Sequence, residues 1–208
     1  MNYLIIEELL PAHIRNEILL AVNNSISHEN TEVSNDIIMR CFSKLPTEHR
    51  KLGSPAIKFP GYPSLTSIEI YRAYLLLILK SQLKKKFTIA LPVLLKYCDD
   101  EEKLSIMKSL SLWDCEGLFV DSIIELCRTN SVDLFTSIGV FNPYPARFFP
   151  EHNFNQMVLK LLFCGIDINN VIALESRKNN DLARMALDYK NERIYADRSV
   201  PLGIELLL

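Results

Sequence analysis

One stretch decides the fold, Asn142–Glu192, which reads NPYPARFFPEHNFNQMVLKLLFCGIDINNVIALESRKNNDLARMALDYKNE. Two segments within it carry apolar residues at spacings of three and four, the pattern of an amphipathic helix. The first helix is expected between Pro150, which suits an opening turn, and Gly165, which suits a C-terminal cap. The second is expected to follow a cap at Asn180 and to bury one apolar stripe.

The head of this stretch contains two prolines, at positions 143 and 145. A proline disfavours helical backbone at the residue before it, so Asn142 and Tyr144 are predicted to be extended in a stiff turn. Polar and aromatic side chains are denser from here onward than elsewhere, and we expect them to gather at one place. The candidate binding residues are Asn142, Tyr144, Asn155, Gln156, Lys160, Arg177, Asn179, Arg184, Asp188, Tyr189 and Glu192.

Each of these candidates has a structural alternative. Asn155 could line a polar groove with Gln156 and Lys160, or it could tie the proline-rich turn to its helix. Arg184 and Asp188, four residues apart, could bind a ligand or simply form an ion pair on the helix surface. The candidates do not make up a nucleophile with a base and an orienting group, so no catalytic residue is predicted.

Upstream of this stretch, the sequence also predicts helices. A helix follows Pro11 with an apolar stripe of Ile14, Ile18 and Val22, and another is expected near residues 37–45. Residues 53–67 hold two glycines and three prolines and are predicted to be a surface connection, with a functional lid as the alternative. Thr66 or Ser67 then starts a strong helix, in which Arg72 is expected to snorkel to solvent.

From residue 88 to residue 140, short helical segments alternate with tight polar turns. They are predicted at residues 89–98, 101–110, 115–127 and 132–138, with Asp114 as the cap of the third. Short antiparallel helices of this kind resemble HEAT-type hairpins. The sequence therefore predicts one all-α domain over residues 1–208, a HEAT-like array. Its parts would be N-terminal helices and a loop (1–65), hairpins (66–140) and a C-terminal region (141–208).

Composition excludes several classes of function. The chain has 208 residues and a net charge of −2, whereas nucleic-acid binding needs clustered excess Lys and Arg. The five cysteines lack a Cys-x-x-Cys pair and the four histidines form no metal motif, so neither a metal nor another cofactor is expected. With neither a membrane-length apolar run nor a signal peptide, the expected location is the cytoplasm.

The C-terminal motifs resemble, in order and spacing, those of the EboA family. The matching residues are Asn142-Pro143-Tyr144-Pro145, Phe154 to Lys160, Phe163-x-Gly165, Arg177-x-Asn179, Leu182 to Met185, Asp188-Tyr189, Glu192-Arg193 and Val200-Pro201. The ordered run extends from about residue 128 to residue 201. Residues 146–149 and the 53–62 loop depart from the family pattern.

This resemblance implies a part in metabolite traffic. The family belongs to a bacterial and algal gene cluster linked to moving secondary metabolites across the inner membrane, and no catalytic activity is established for it. The implied function is a non-enzymatic helical adaptor that binds a metabolite precursor, other proteins of the cluster, or both. The alternatives are a purely structural scaffold subunit and an enzyme that uses Lys160, Asp188 and Glu192 together with Tyr144.

Overall fold

A computed structural model describes residues 8–27, Phe42 and residues 63–208. Within these ranges the chain forms α-helices and short 3-10 turns without a β-strand, which confirms the all-α prediction. The helix expected near residues 37–45 and most of the 53–67 connection lie outside the described residues. The α-helices are α1 (Ala12–Ser27), α2 (Ser67–Leu83), α3 (Lys85–Tyr97), α4 (Asp100–Trp113), α5 (Val120–Leu126), α6 (Val132–Gly139), α7 (Pro143–Phe148), α8 (Glu151–Phe163), α9 (Leu174–Arg177) and α10 (Asn180–Tyr195).

The described residues fall into two compact units. The first contains α1 to α4, and the second is formed chiefly by Ile123–Leu208. The division comes within α5. None of the described helices is both long enough and apolar enough to cross a lipid bilayer.

Helix α2 is the centre of the first unit. The helix begins where the sequence predicted, and Thr66 caps it in a capping box with Glu69. Most of its residues are buried. The expectation that Arg72 snorkels is wrong. Its side chain is 2% exposed and donates from Nη1 to Ser105 Oγ at 2.9 Å. Helix α4 gives this guanidinium polar partners inside the unit, so it does not need solvent.

The turn after α4 also differs from the prediction. Asp114 was expected to cap a helix over 115–127, but this residue is fully buried and accepts hydrogen bonds from the N–H groups of Leu118 and Phe119. Gly117, which lies between Asp114 and Leu118, adopts a positive φ of 70°. The carboxylate thereby stabilises a turn, and helix α5 begins only at Val120. Elsewhere the predicted stripe of Ile14, Ile18 and Val22 is buried in α1.

The proline-rich head of the second unit is helical. Asn142 is extended as predicted and caps α7 by accepting from the Tyr144 N–H, but Tyr144 itself is helical. Pro143 and Pro145 lie in the first turn, where backbone N–H groups have no carbonyl partner within the helix. Their missing N–H groups are therefore tolerated, and this position outweighs the usual preference of the residue before a proline.

Helix α8 ends as the sequence predicted. Gly165 has a φ of 72°, its N–H donates to the Leu162 carbonyl, and the Ile166 N–H donates to the Leu161 carbonyl. These two bonds form a Schellman cap. After this cap, Ala173 adopts a left-handed φ of 59° and separates a 3-10 turn at Ile168–Asn170 from α9.

Candidate functional site

A pair of side-chain amides, the buried Asn155 and the half-buried Asn179, joins α8 to the start of α10 in the second unit. Asn155 Nδ2 donates to Asn179 Oδ1 at 3.0 Å, and Asn179 Nδ2 donates to Asn155 Oδ1 at 3.1 Å. The same Asn179 Oδ1 accepts from the Leu182 N–H at 2.9 Å, so Asn179 caps α10 where Asn180 was expected. Asn155 is 2% exposed, and its amide stabilises the junction of α8 and α10 by pairing with Asn179.

Arg177 fastens the C-terminal end of α7. Its two terminal nitrogens donate to the Ala146 and Phe149 carbonyls, each at 2.8 Å, and its guanidinium lies 4.5 Å from the centroid of the Phe154 ring. A cation at the C-terminal end of a helix also stabilises the helix dipole. Sequence reasoning gave this fastening role to Asn155, but Arg177 performs it.

Asn142 and Tyr144 are likewise occupied inside the unit. Asn142 Nδ2 donates to the Ser137 carbonyl at 3.1 Å, which connects α7 to α6. The Tyr144 ring is fully buried and lies against Phe148, with ring centroids 4.9 Å apart. Both residues position α7, and their side chains are shielded from solvent.

The charged candidates on α10 lie on its exposed side. Arg184 lies 3.6 Å from Asp188 and 3.5 Å from Asp181, and all three side chains are about two-thirds exposed. Glu192 is exposed as well. Tyr189 is half-buried against Phe163, with ring centroids 4.2 Å apart. The ion pair that was weighed against ligand binding by Arg184 and Asp188 is therefore present.

Lys160 and Gln156 border a groove that we call the Lys160 groove. It is a half-open depression of about 140 Å³ between α5, α6 and α8. Lys160 Nζ donates to the carbonyls of Cys127 and Thr129, each at 2.8 Å, and lies 4.3 Å from the centroid of the Phe135 ring. The groove is lined by Ile124, Cys127, Arg128, Phe135, Phe149, Asn153, Gln156, Met157 and Lys160.

The Cys127 thiol contributes a neutral surface to this groove. Burial raises its pKa to about 12, although the nearby Lys160 ammonium acts in the opposite direction. At neutral pH the thiol therefore stays protonated, and it neither neutralises Lys160 nor acts as a nucleophile.

Sequence reasoning identified Gln156 and Lys160 but missed the aromatic residues that line the same groove. Phe135 lies 25 residues upstream of Lys160 in α6, and Phe149 lies 11 residues upstream at the C-terminal cap of α7. Apolar periodicity places such rings on a buried face and does not say that one edge of that face stays open. A second depression of about 450 Å³ lies between the 165–169 turn and residues 201–203. Among the described residues, no group of three or more His, Cys, Asp or Glu side chains could hold a metal ion.

Fold and site together define an all-α protein whose second unit is braced by internal polar contacts and carries a small groove with a cationic side chain. The family model for "Metabolite traffic protein EboA" matches residues 4–206. The chain therefore belongs to the EboA family, and the match extends over the N-terminal part as well as over the C-terminal motifs. No curated protein and no solved structure matches the chain.

Proposed function

We propose that this chain is a non-enzymatic helical adaptor in metabolite traffic, and that it holds part of a metabolite in the Lys160 groove. Membership of the EboA family supports the role in metabolite traffic. The observation that carries the site is the groove itself, where polar and apolar side chains meet at a half-open surface. A small-molecule site commonly combines apolar walls with a few placed polar groups.

The size of the groove fits a partial contact with the ligand. Its volume of about 140 Å³ is below the roughly 300 Å³ at which pockets begin to bury a whole drug-sized molecule. One end of a metabolite can enter while the rest stays accessible. This suits a protein that passes its ligand on, because the exposed part can be taken by the next protein.

The positions of the catalytic candidates favour binding over chemistry. Tyr144 is fully buried, whereas Asp188 and Glu192 lie on the exposed side of α10. Lys160 is held by two carbonyls. General acid–base catalysis requires such groups within hydrogen-bond reach of one reacting centre, and this dispersal gives it no support.

The proposal has further parts that follow from the family resemblance. The metabolite would be a secondary-metabolite precursor, the partners other proteins of the same gene cluster, and the location the cytoplasm. The scaffold would be a HEAT-like array. Its support is the succession of short helices α2, α3 and α4, joined by connections of one and two residues. Consecutive helical hairpins of this kind offer extended surfaces for protein partners.

Two tryptophan variants on α8 test the groove. Gln156 is exposed and borders the groove, so Gln156→Trp should fill it, whereas His152→Trp changes an exposed position outside the groove. The full chain would be captured from cells that express its gene cluster, and the small molecules released by denaturation would be identified by mass spectrometry. We expect the same compound with the wild type and His152→Trp, and its loss with Gln156→Trp. Equal recovery from all three proteins would contradict a ligand in this groove.

A further inference from the structure

The charges around the Lys160 groove are unbalanced. Of the described residues that line it, two are cationic, Lys160 and Arg128, and none is a carboxylate. Arg128 already lies 3.0 Å from Glu125 on the exposed surface of α5, which leaves Lys160 as the cation without a carboxylate partner in the groove. Among the described residues, two carbonyls and the Phe135 ring face its ammonium group.

The geometry of Lys160 leaves room for one more acceptor. An ammonium group has three N–H donors. Within the described part of the chain, two of them serve the carbonyls of Cys127 and Thr129. These bonds hold Nζ in place, so a ligand oxygen meets a fixed donor. Gln156 at the rim and Asn153 in the wall add side-chain amides to the same groove.

The rest of the groove lining is largely apolar and partly aromatic. The Phe135 ring lies 4.3 Å from Lys160 Nζ, and Phe149 and Met157 extend the apolar surface. Flat rings and a thioether pack well against another flat apolar group. Lys160 and Gln156 can both donate to the oxygens of a carboxylate carried by such a group.

We propose that the Lys160 groove recognises a carboxylate attached to a flat, unsaturated or aromatic group, with the carboxylate at Lys160 and the flat group against the apolar part of the lining. This assignment rests on the proposed function, because it names the chemical class of the ligand that the groove would hold. Gln156 completes the site by donating from its amide to the second carboxylate oxygen.

Three small probes can test the ligand class on the full-length protein. Benzoate has both features, benzamide keeps the ring and shape without the charge, and inorganic phosphate has charge without a ring. Binding would be followed by shifts of the backbone amide resonances of Cys127, Phe135, Gln156 and Lys160. We expect benzoate to bind at least about tenfold more tightly than benzamide, since a hydrogen bond to a charged group is the stronger one. Phosphate should bind more weakly than benzoate, because it has no flat apolar group to pack against the groove.

The variants separate the ligand class from the groove. Gln156→Leu should weaken benzoate severalfold, while His152→Ala on the same helix should leave its affinity unchanged. Lys160→Met should abolish the preference for benzoate over benzamide. If Lys160→Met does not fold, the affinity of Gln156→Leu for benzoate tests the assignment instead.

The outcomes distinguish a failure of the carboxylate assignment from a failure of the proposed function. Equal binding of benzoate and benzamide, lost in Gln156→Trp, would overturn the carboxylate assignment and leave the groove as a binding site. Tighter binding of phosphate than of benzoate would overturn the assignment as well. If no probe shifts the groove resonances while a cellular compound still binds, the assignment fails alone. If that compound is also absent, the proposed function fails with it.

Discussion

The amide pair between Asn155 and Asn179 allows a quantitative prediction. The two side chains exchange reciprocal hydrogen bonds of 3.0 and 3.1 Å. Each such bond between neutral groups contributes about 1 kcal/mol to stability, so the pair contributes about 2 kcal/mol. Asn179 also caps α10 through the Leu182 N–H, which adds about 1 kcal/mol.

These values predict a double-mutant cycle. Asn155→Ala should lower the free energy of unfolding of the second unit by about 2 kcal/mol and Asn179→Ala by about 3 kcal/mol. The double variant should lose only about 3 kcal/mol, because the pair is lost once, which gives a coupling free energy of about 2 kcal/mol. Asn191→Ala, at an exposed position on α10, is the matched control and should change stability by less than about 0.5 kcal/mol.

Native-state hydrogen exchange is the suitable assay, because it reports each segment separately in a chain with two compact units. The slowest amides of α8 and α10 give the opening free energy of the second unit. A coupling free energy below about 0.5 kcal/mol would show that the two amides act independently. The buried polar network would then not stabilise the junction between these helices.

Three further predictions concern single positions. Lys160→Met should lower the free energy of unfolding by about 2 kcal/mol in urea, because two charge-assisted bonds to half-buried carbonyls are lost; an unchanged midpoint would refute this. Cys127 should resist iodoacetamide at pH 8 while the exposed Cys115 and Cys164 react, as read by peptide mass spectrometry. Burial raises the Cys127 pKa from 9.0 to about 12. The contribution of the neutral thiol to the free energy of unfolding should therefore be complete below pH 9 and be lost as the pH rises towards 12. A Cys127→Ala variant that keeps the same alkaline loss would contradict this assignment. Gly165→Ala should cost about 1 kcal/mol from its φ of 72° alone, because a Cβ there meets open space; Gly165→Asn, which tolerates this conformation better, should cost less.

Local sequence signals predicted those parts of the fold that depend on neighbouring residues. Thr66 begins one helix and Gly165 ends another through bonds that span only a few residues, and the sequence pointed to both positions. The failures have a different origin. Arg72 and Asp114 are buried because partners in distant or neighbouring segments satisfy them, and the sequence pattern around each residue is the same whether or not those partners exist.

The candidate residues show the same limit for function. The sequence grouped eleven side chains by their density along the chain, and the structure divides them among the buried network, the groove and the exposed side of α10. A side chain that the fold holds by hydrogen bonds is poorly placed to reorient towards a ligand, since breaking those bonds costs about 1 to 3 kcal/mol for each group left unpaired. Gln156 faces solvent, and Lys160 retains one donor on a fixed ammonium group. Ligand recognition in the second unit should therefore depend on these two residues and on the Phe135 and Phe149 rings that line the groove with them. The polar candidates inside the unit contribute instead by stabilising its helices.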